Sequence, residues 1–196
     1  MIKILLKIIV VLVLSNSIYA QQTQDNMVPE KTNPIIFAEM FGGISIMQHG
    51  GFAGGFELNY QYKKSLFSVR YTHAAGYRKS ESIFSFYNVE DIDECALLYG
   101  NRWLSANRSF SVSAGISRNN LRLTTRDEDF TRYLRYQEFY GVPFEASFKW
   151  FYPKKRSNLI FNMLIPSIGM KLFGNISKRS YIGIGLSVGF GLSKEY

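Results

Sequence analysis

The chain has one cysteine, Cys95, and two histidines, His49 and His73. A single cysteine forms no internal disulfide, so no disulfide framework organises the fold. Neither residue type recurs at a zinc-ligand spacing, and Cys95 carries no nucleophile signature, so it reads as a small apolar residue in a strand. After residue 20 no stretch approaches the ~18 apolar residues of a transmembrane helix. Acidic residues are the minority: 15 against 23 basic, a formal charge of +8. Without residues 1–20, which hold Lys3 and Lys7, the balance is 21 against 15, or +6. That excess is scattered over loops and turns, and no nucleic-acid partner is expected from it.

Aromatics, by contrast, are abundant, with 13 Tyr and 16 Phe, and apolar residues alternate with small ones. The segment Tyr181 to Leu192 reads YIGIGLSVGFGL. Ile182, Ile184, Leu186, Val188, Phe190 and Leu192 alternate with Gly183, Gly185, Ser187, Gly189 and Gly191. A period of two places successive side chains on opposite faces of a strand. One face is greasy and the other nearly bare. Either the greasy face meets a core, or it meets lipid while the bare face lines a narrow barrel.

At the N-terminus, Lys3 and Lys7 flank a basic start, Ile8 to Leu14 is an unbroken apolar run, and Ser15 to Ala20 turns polar and ends small. This is the layout of a secretory signal peptide cleaved after Ala20. The run is short for a membrane anchor. The domain reading is a signal peptide over 1–20, a polar leader with Pro29 and Pro34 over 21–34, and a β-barrel over 35–196.

Alternation predicts seven further strands. The first, about 35–47, sets Ile36, Ala38, Met40, Ile44 and Ile46 against Phe37, Glu39, Phe41, Gly43 and Ser45. The second sets Phe52, Phe56, Leu58, Tyr60 and Tyr62 against Ala53, Gly55, Glu57, Asn59 and Gln61. The third sets Phe67, Val69 and Tyr71 against Ser68, Arg70 and Thr72. The fourth, near 94–103, does not alternate at Ala96-Leu97-Leu98-Tyr99, and its facing is open. The fifth sets Phe110, Val112, Ala114 and Ile116 against Ser111, Ser113, Gly115 and Ser117. The sixth sets Tyr140, Val142, Phe144, Ala146, Phe148 and Trp150 against Gly141, Pro143, Glu145, Ser147 and Lys149. The seventh sets Leu164, Ile168, Met170 and Leu172 against Ser167, Gly169 and Lys171.

Eight strands, an even number, are predicted to close into an all-β, antiparallel up-and-down transmembrane barrel, since closure removes the unpaired edges lipid cannot satisfy. Turns are expected near 63–65, 104–108 and 152–158 on one side. Loops are expected near 48–51, 77–93, 118–138 and 174–180 on the other, the longest of them partly ribbon because Leu121, Leu123 and Tyr133 keep alternating.

Over about residues 35–196 the chain resembles the small eight-stranded outer-membrane barrels of Gram-negative bacteria, the OmpA/OmpX type. The resemblance rests on the signal, the strand count, the alternation and a terminal aromatic, Tyr196. It implies a cell outer-membrane location, contact with outer-membrane lipid and lipopolysaccharide, and delivery by the barrel-assembly machinery. Members of this group are structural proteins, adhesion or serum-resistance factors, or occasionally lipid-modifying enzymes.

Two residue sets stand out. Glu39, Glu57 and Glu145 share the inward face with Arg70, Lys149 and Lys171. Ion pairs across a narrow interior are the expected arrangement, because unpaired buried charge is costly and eight strands leave room only for side chains. A catalytic or ion-conducting cluster is the alternative. Arg118, Arg122, Arg126, Arg132 and Arg135 fall in a predicted outer loop, where they could meet anionic head groups or a charged extracellular partner, or pair with Asp127, Glu128 and Asp129. Outward Tyr60, Tyr62, Tyr71, Tyr140, Trp103 and Trp150 read as interfacial rings rather than stacking sites.

No catalytic, cofactor or metal residue is assigned. His49 reads as a solvated turn residue, His73 lies near an outer strand end, and Glu90 to Glu94 reads as a solvated acidic loop. The leading expectation is a non-enzymatic outer-membrane barrel, structural or surface-binding through its outer loops. A lipid-A deacylase or acyltransferase on the same fold is the alternative, and a secreted soluble β-barrel carrier is a third.

Overall fold

The computed structural model describes residues 35–79, 86–105, 108–126, 132–151 and 164–192. The signal and leader (1–34), the basic turn at 152–158, the acidic loop tip at 127–129 and Tyr196 lie outside the described residues.

Eight strands follow one another: β1 (Ile35–Ile46), β2 (Gly50–Tyr62), β3 (Ser65–Lys79), β4 (Phe86–Leu104), β5 (Arg108–Arg126), β6 (Arg132–Phe151), β7 (Leu164–Ser177) and β8 (Tyr181–Leu192). Each pairs antiparallel with its neighbours in sequence, and β1 closes on β8. The alternation that made these segments strands also fixes their facing. A slip by one residue would turn the charged set outward and the apolar set inward. On β8, Ile182, Ile184, Leu186, Val188 and Phe190 point out, while Ser187 is buried. Gly43 and Gly185 are register partners where β1 and β8 run close together. A Cβ on either would collide with backbone of the opposite strand, at Ile184 or at Gly42, so only glycine fits this seam.

The interior is layered. At the lower end, where β1 begins and β8 finishes, Ile35, Phe37 and Leu66 pack together. At the upper end Phe41, Ala53, Ala74, Ile92, Leu121, Phe173 and Tyr181 form a second apolar cluster, against which Met47, Leu123 and Phe139 pack. Polar and charged side chains fill the space between these two stoppers.

The strands are unequal. β1, β2, β7 and β8 have 12 to 14 residues, whereas β4, β5 and β6 have 19, 19 and 20. One half of the wall therefore rises above the other as a ribbon of β3 to β6. This corrects the two long loops expected at 77–93 and 118–138. Residues 77–79 and 86–93 belong to β3 and β4, and 118–126 and 132–138 to β5 and β6. Likewise 174–177 continues β7.

The long strands escaped notice because their polarity inverts along their length. Low on β4 the outward residues are Leu97, Tyr99 and Trp103, and the inward ones include Glu94 and Arg102. Higher up, Ile92 is buried inward while Asp91 and Asp93 turn out. On β5, outward Phe110, Val112 and Ile116 give way to Arg118 and Arg122, and inward serines give way to Leu121. The period of two runs through this inversion, from Trp103 up to Glu90 on β4 and from Phe110 to Arg122 on β5, and only the polarity of its two faces changes; the register shift on β4 comes higher, at Val89. The open facing at 96–99 resolves in the same terms: Ala96 and Leu98 point in, and Leu97 and Tyr99 point out.

Candidate functional site

The six interior charges expected from sequence meet in the middle layer. Lys171 comes from β7, where alternation with Ile168, Met170 and Leu172 directs it inward, and it is 1% exposed. Its ammonium contacts Glu39 of β1 and Glu57 of β2, and lies 3.0 Å from Glu145 of β6. Lys149 of β6 contacts the other oxygen of Glu39. Arg70 of β3 reaches Glu145 at 3.1 Å. One network therefore joins β1, β2, β3, β6 and β7 across the lumen. Two rings cover its cations from below and above: Lys149 lies 4.8 Å over Phe37, and Lys171 4.7 Å over Phe41.

Sequence reasoning missed two members. Glu94 of β4 receives Arg70 at 2.7 Å and is fully buried. Arg102, also on β4, stacks 4.3 Å over Phe37 and donates to Gln61 at 3.0 Å and Ser109 at 3.3 Å. Both lie on the strand whose facing alternation had left open. Extending the period of two downward from Ile92 would have placed both inside. Neutral groups complete the layer: Ser113 donates to Glu145 at 2.8 Å, and Asn175 donates to Glu94 and, at 2.6 Å, to Ser117. In this middle layer four acids (Glu39, Glu57, Glu94, Glu145) thus stand with four bases (Arg70, Arg102, Lys149, Lys171), and a fifth buried acid among the described residues, Glu90, lies higher on β4. Mutual compensation of this kind lets ionised groups stay buried.

The five arginines do not form one cluster. Arg118 and Arg122 project from the outer face of β5 and are already paired, with Glu138 at 2.7 Å and Asp91 at 3.5 Å. Arg135 is exposed at a register position opposite Leu123, on the other face of the ribbon. Arg126 and Arg132 are register partners at the ends of β5 and β6. The strand period, invisible when the segment reads as a loop, separates them.

It also divides the acidic stretch 90–94, corrected here from a loop to part of β4. Glu90 and Glu94 are buried inward, and Asp91 and Asp93 face out. His49 is not simply solvated: its turn leans on β4, with the backbone N–H donating to Glu90 at 3.2 Å. His73 Nδ1 lies 2.8 Å from Asp93, to which the Tyr71 hydroxyl also donates at 2.7 Å. Asp91, at 3.9 Å, is the other charged neighbour of His73. No serine or threonine hydroxyl contacts this histidine among the described residues. Below this group, Val69, Cys95, Leu97, Ile116 and Tyr140 line a shallow outward furrow of about 260 Å³ that ends at Arg118.

The outward surface carries two bands of rings. At the lower end Tyr60–Phe67 (6.5 Å), Phe67–Tyr99 (4.9 Å), Trp103–Phe110 (5.7 Å) and Phe148–Trp150 (4.6 Å) run from β2 to β6. Higher up stand Tyr71 and Tyr140, with Phe52 beside Tyr77 at 6.3 Å. Large apolar side chains fill the zone between the bands, among them Met40, Phe56, Val69, Leu97, Ile116 and Leu186.

No protein-family model matches the sequence. No curated protein matches it either. Solved structures do. The N-terminal β-barrel domain of OprF from Pseudomonas aeruginosa aligns with a TM-score of 0.50 at 15% identity, covering 80% of this chain and 96% of that one. Neisserial surface protein A aligns with a TM-score of 0.51 at 12% identity, covering 84% and 99%. The chain has the fold of the small eight-stranded outer-membrane barrels, a closed, all-antiparallel, up-and-down barrel without helices among its described residues.

Proposed function

We propose that this protein is a non-enzymatic integral barrel of the cell outer membrane, exported through a cleaved signal and exposing the β3–β6 ribbon to the outside. One observation carries the reading. The outward face is apolar up to Cys95 on β4 and Ile116 on β5, then becomes charged at Asp93 and Arg118 while the inward face becomes apolar. A core partner would require one polarity along the whole strand. A lipid slab ending in water requires the switch, and the aromatic bands mark its two surfaces.

The barrel acts as a stoppered post rather than a channel. Its lumen is closed by side chains at both ends and crossed by ion pairs in the middle. Arg118 at the head of the apolar furrow, level with the expected lipid boundary, fits the anionic head group and acyl chain of an outer-membrane lipid such as lipopolysaccharide. The lipid-A-modifying alternative needs a nucleophile. The His73–Asp93 pair has the orienting acid, but among the described residues no serine or threonine hydroxyl hydrogen-bonds the imidazole. The soluble-carrier alternative needs an apolar lumen and a polar exterior, the reverse of what β8 displays.

Membrane fractionation with heat-dependent gel mobility tests the assignment. The folded protein should sediment with the outer membrane and migrate faster unheated than boiled. Mass spectrometry of that material should find Gln21 at the N-terminus. A cytosolic protein retaining Met1 overturns the proposal.

A further inference from the structure

Exposed charge is divided unevenly between the two ends of the barrel. Among the described residues the acidic side chains that reach solvent, Asp91, Asp93 and Glu138, belong to the upper half. The other described glutamates are buried. At the lower end Lys63, Lys64 and Arg108 are exposed, and none has an ion-pair partner among the described residues. Lys63 and Lys64 make the two-residue turn between β2 and β3. Lys63 has a φ of 54°, the one positive φ of a non-glycine residue among the described residues. Glycine or asparagine adopts that conformation with less strain. The turn is nevertheless held from both sides. The Gln61 side-chain N–H donates to the Lys63 carbonyl at 2.6 Å, and the Arg102 backbone N–H donates to the Lys64 carbonyl at 2.8 Å. Gln61 is itself fixed by the Arg102 guanidinium at 3.0 Å. Both carbonyls are occupied, and the two ammonium side chains stand exposed on a rigid tip.

The lower ring band begins beside this tip. The Lys63 ammonium lies 5.7 Å from the Tyr62 ring, and Ser65 Oγ lies 3.4 Å from the Tyr99 hydroxyl. Phe67 stands between Tyr60 and Tyr99, and exposed Leu58 and Val69 follow above it. Cations, hydroxyls, rings and aliphatic side chains thus succeed one another along the outward face. A glycerophospholipid presents matching groups in the same order: an anionic phosphate, ester oxygens and acyl chains. Arg108 repeats the arrangement on β5, where its register partner is Trp150 of the same band.

We propose that the β2–β3 turn binds an anionic glycerophospholipid of the periplasmic leaflet, its phosphate at Lys63, Lys64 and the Ser65 hydroxyl and its acyl chains against Phe67 and Val69. Charge selects the occupant. A zwitterionic head group brings a cation of its own to a rim that shows no exposed acid among the described residues. An anionic head group brings only the charge that the two lysines complement, and basic side chains next to a membrane surface attract such lipids. The tip is already ordered by Gln61 and Arg102, so little backbone freedom is lost when the lipid binds. That the rim meets a lipid leaflet rests on the outer-membrane reading; the cationic turn itself does not.

The chain carries its own reporters. It has two tryptophans, Trp103 and Trp150, and both stand in the lower band. Trp103 follows Arg102, whose N–H holds the turn, so Trp150→Phe leaves one fluorophore beside the site. The full-length protein is reconstituted in equimolar vesicles of phosphatidylglycerol and phosphatidylcholine, with bromine on the acyl chains of one lipid or the other. Brominated phosphatidylglycerol should quench Trp103 more than brominated phosphatidylcholine does. The enrichment should be about fivefold for each lysine that engages the head group. Lys63→Asn with Lys64→Gln removes both charges while asparagine keeps the left-handed turn, and should make the two mixtures quench alike. Lys178→Gln with Arg179→Gln removes the same charge from the β7–β8 turn at the other end, and should leave the difference intact. Heat-dependent gel mobility shows that each variant is folded. Equal quenching in the two wild-type mixtures overturns the proposal and leaves the membrane reading standing. A difference that survives the Lys63 and Lys64 replacements, or that vanishes with the Lys178 and Arg179 ones, also overturns it. No quenching by either lipid overturns the membrane reading and the proposal together.

Discussion

At the residue scale, buried charge is the dominant risk in this fold. Arg70 holds Glu94 at 2.7 Å and Glu145 at 3.1 Å, and all three are buried. Arg70→Met leaves two carboxylates without that cation and should destabilise the barrel by about 3–5 kcal/mol, the cost of breaking a buried pair from one side. Adding Glu94→Gln should recover part of the loss, which a double-mutant cycle in urea reads as a coupling energy. Additive effects would show that the two do not interact. The six charges singled out from sequence were legible because each sits at an inward phase between apolar or aromatic neighbours, as Lys171 does between Met170 and Leu172. Glu94 and Arg102 were not, because the inward Leu98 between them masks the phase of their strand. His73 gives a second test at this scale: His73→Ala should leave lipid A profiles unchanged. A deacylated or palmitoylated lipid A that depends on His73 would favour the enzyme reading.

At the scale of the element, facing and length follow different physics. Leu186 lies midway along β8, paired with Gly42 and Met170, and is 61% exposed; its neighbour Ser187 is buried. Leu186→Arg should cost about 2–4 kcal/mol near the bilayer midplane. Cysteine at 186 should react with a lipid-soluble reagent and cysteine at 187 should not. Equal labelling contradicts the alternation. Strand length was less legible. The segments 86–93 and 118–126 carry charge on one face and few apolar residues on the other, so they read as polar loops. Their outward side chains stand in water and their inward ones pack on the upper cluster, which reverses the pattern of the membrane zone. The hairpin of β5 and β6 is held by its own register rather than by lipid. Deleting residues 127–131 should therefore leave heat-dependent mobility intact.

At the scale of the whole molecule, the layered lumen decides what the barrel can do. An eight-stranded barrel is just wide enough for its side chains, and here apolar residues close both ends of a compensated charge layer. The pure monomer should give no large steady conductance in planar bilayers. A sustained open level would mean that the stoppers or the ion pairs yield, and would favour a channel. The inequality of the strands is a property of this same scale. Three strands of 19 to 20 residues, β4 to β6, stand above their neighbours, and β6 is paired on one side alone above Gly141 because β7 stops pairing there.

The amino-acid sequence by itself determined the strand period, the facing of seven strands, the count of eight and the identity of six interior charges. Each of these is local: a period of two needs only neighbouring residues to be read, and a charge at an inward phase has nowhere else to go. The tertiary structure alone decided which charges meet. Lys171 and Glu39 are 132 residues apart, and no local pattern encodes that closure of β1 on β8 brings them together. It alone decided the height of the ribbon too, because the signal for a strand changes phase where its surroundings change from lipid to water, and a sequence does not mark that boundary.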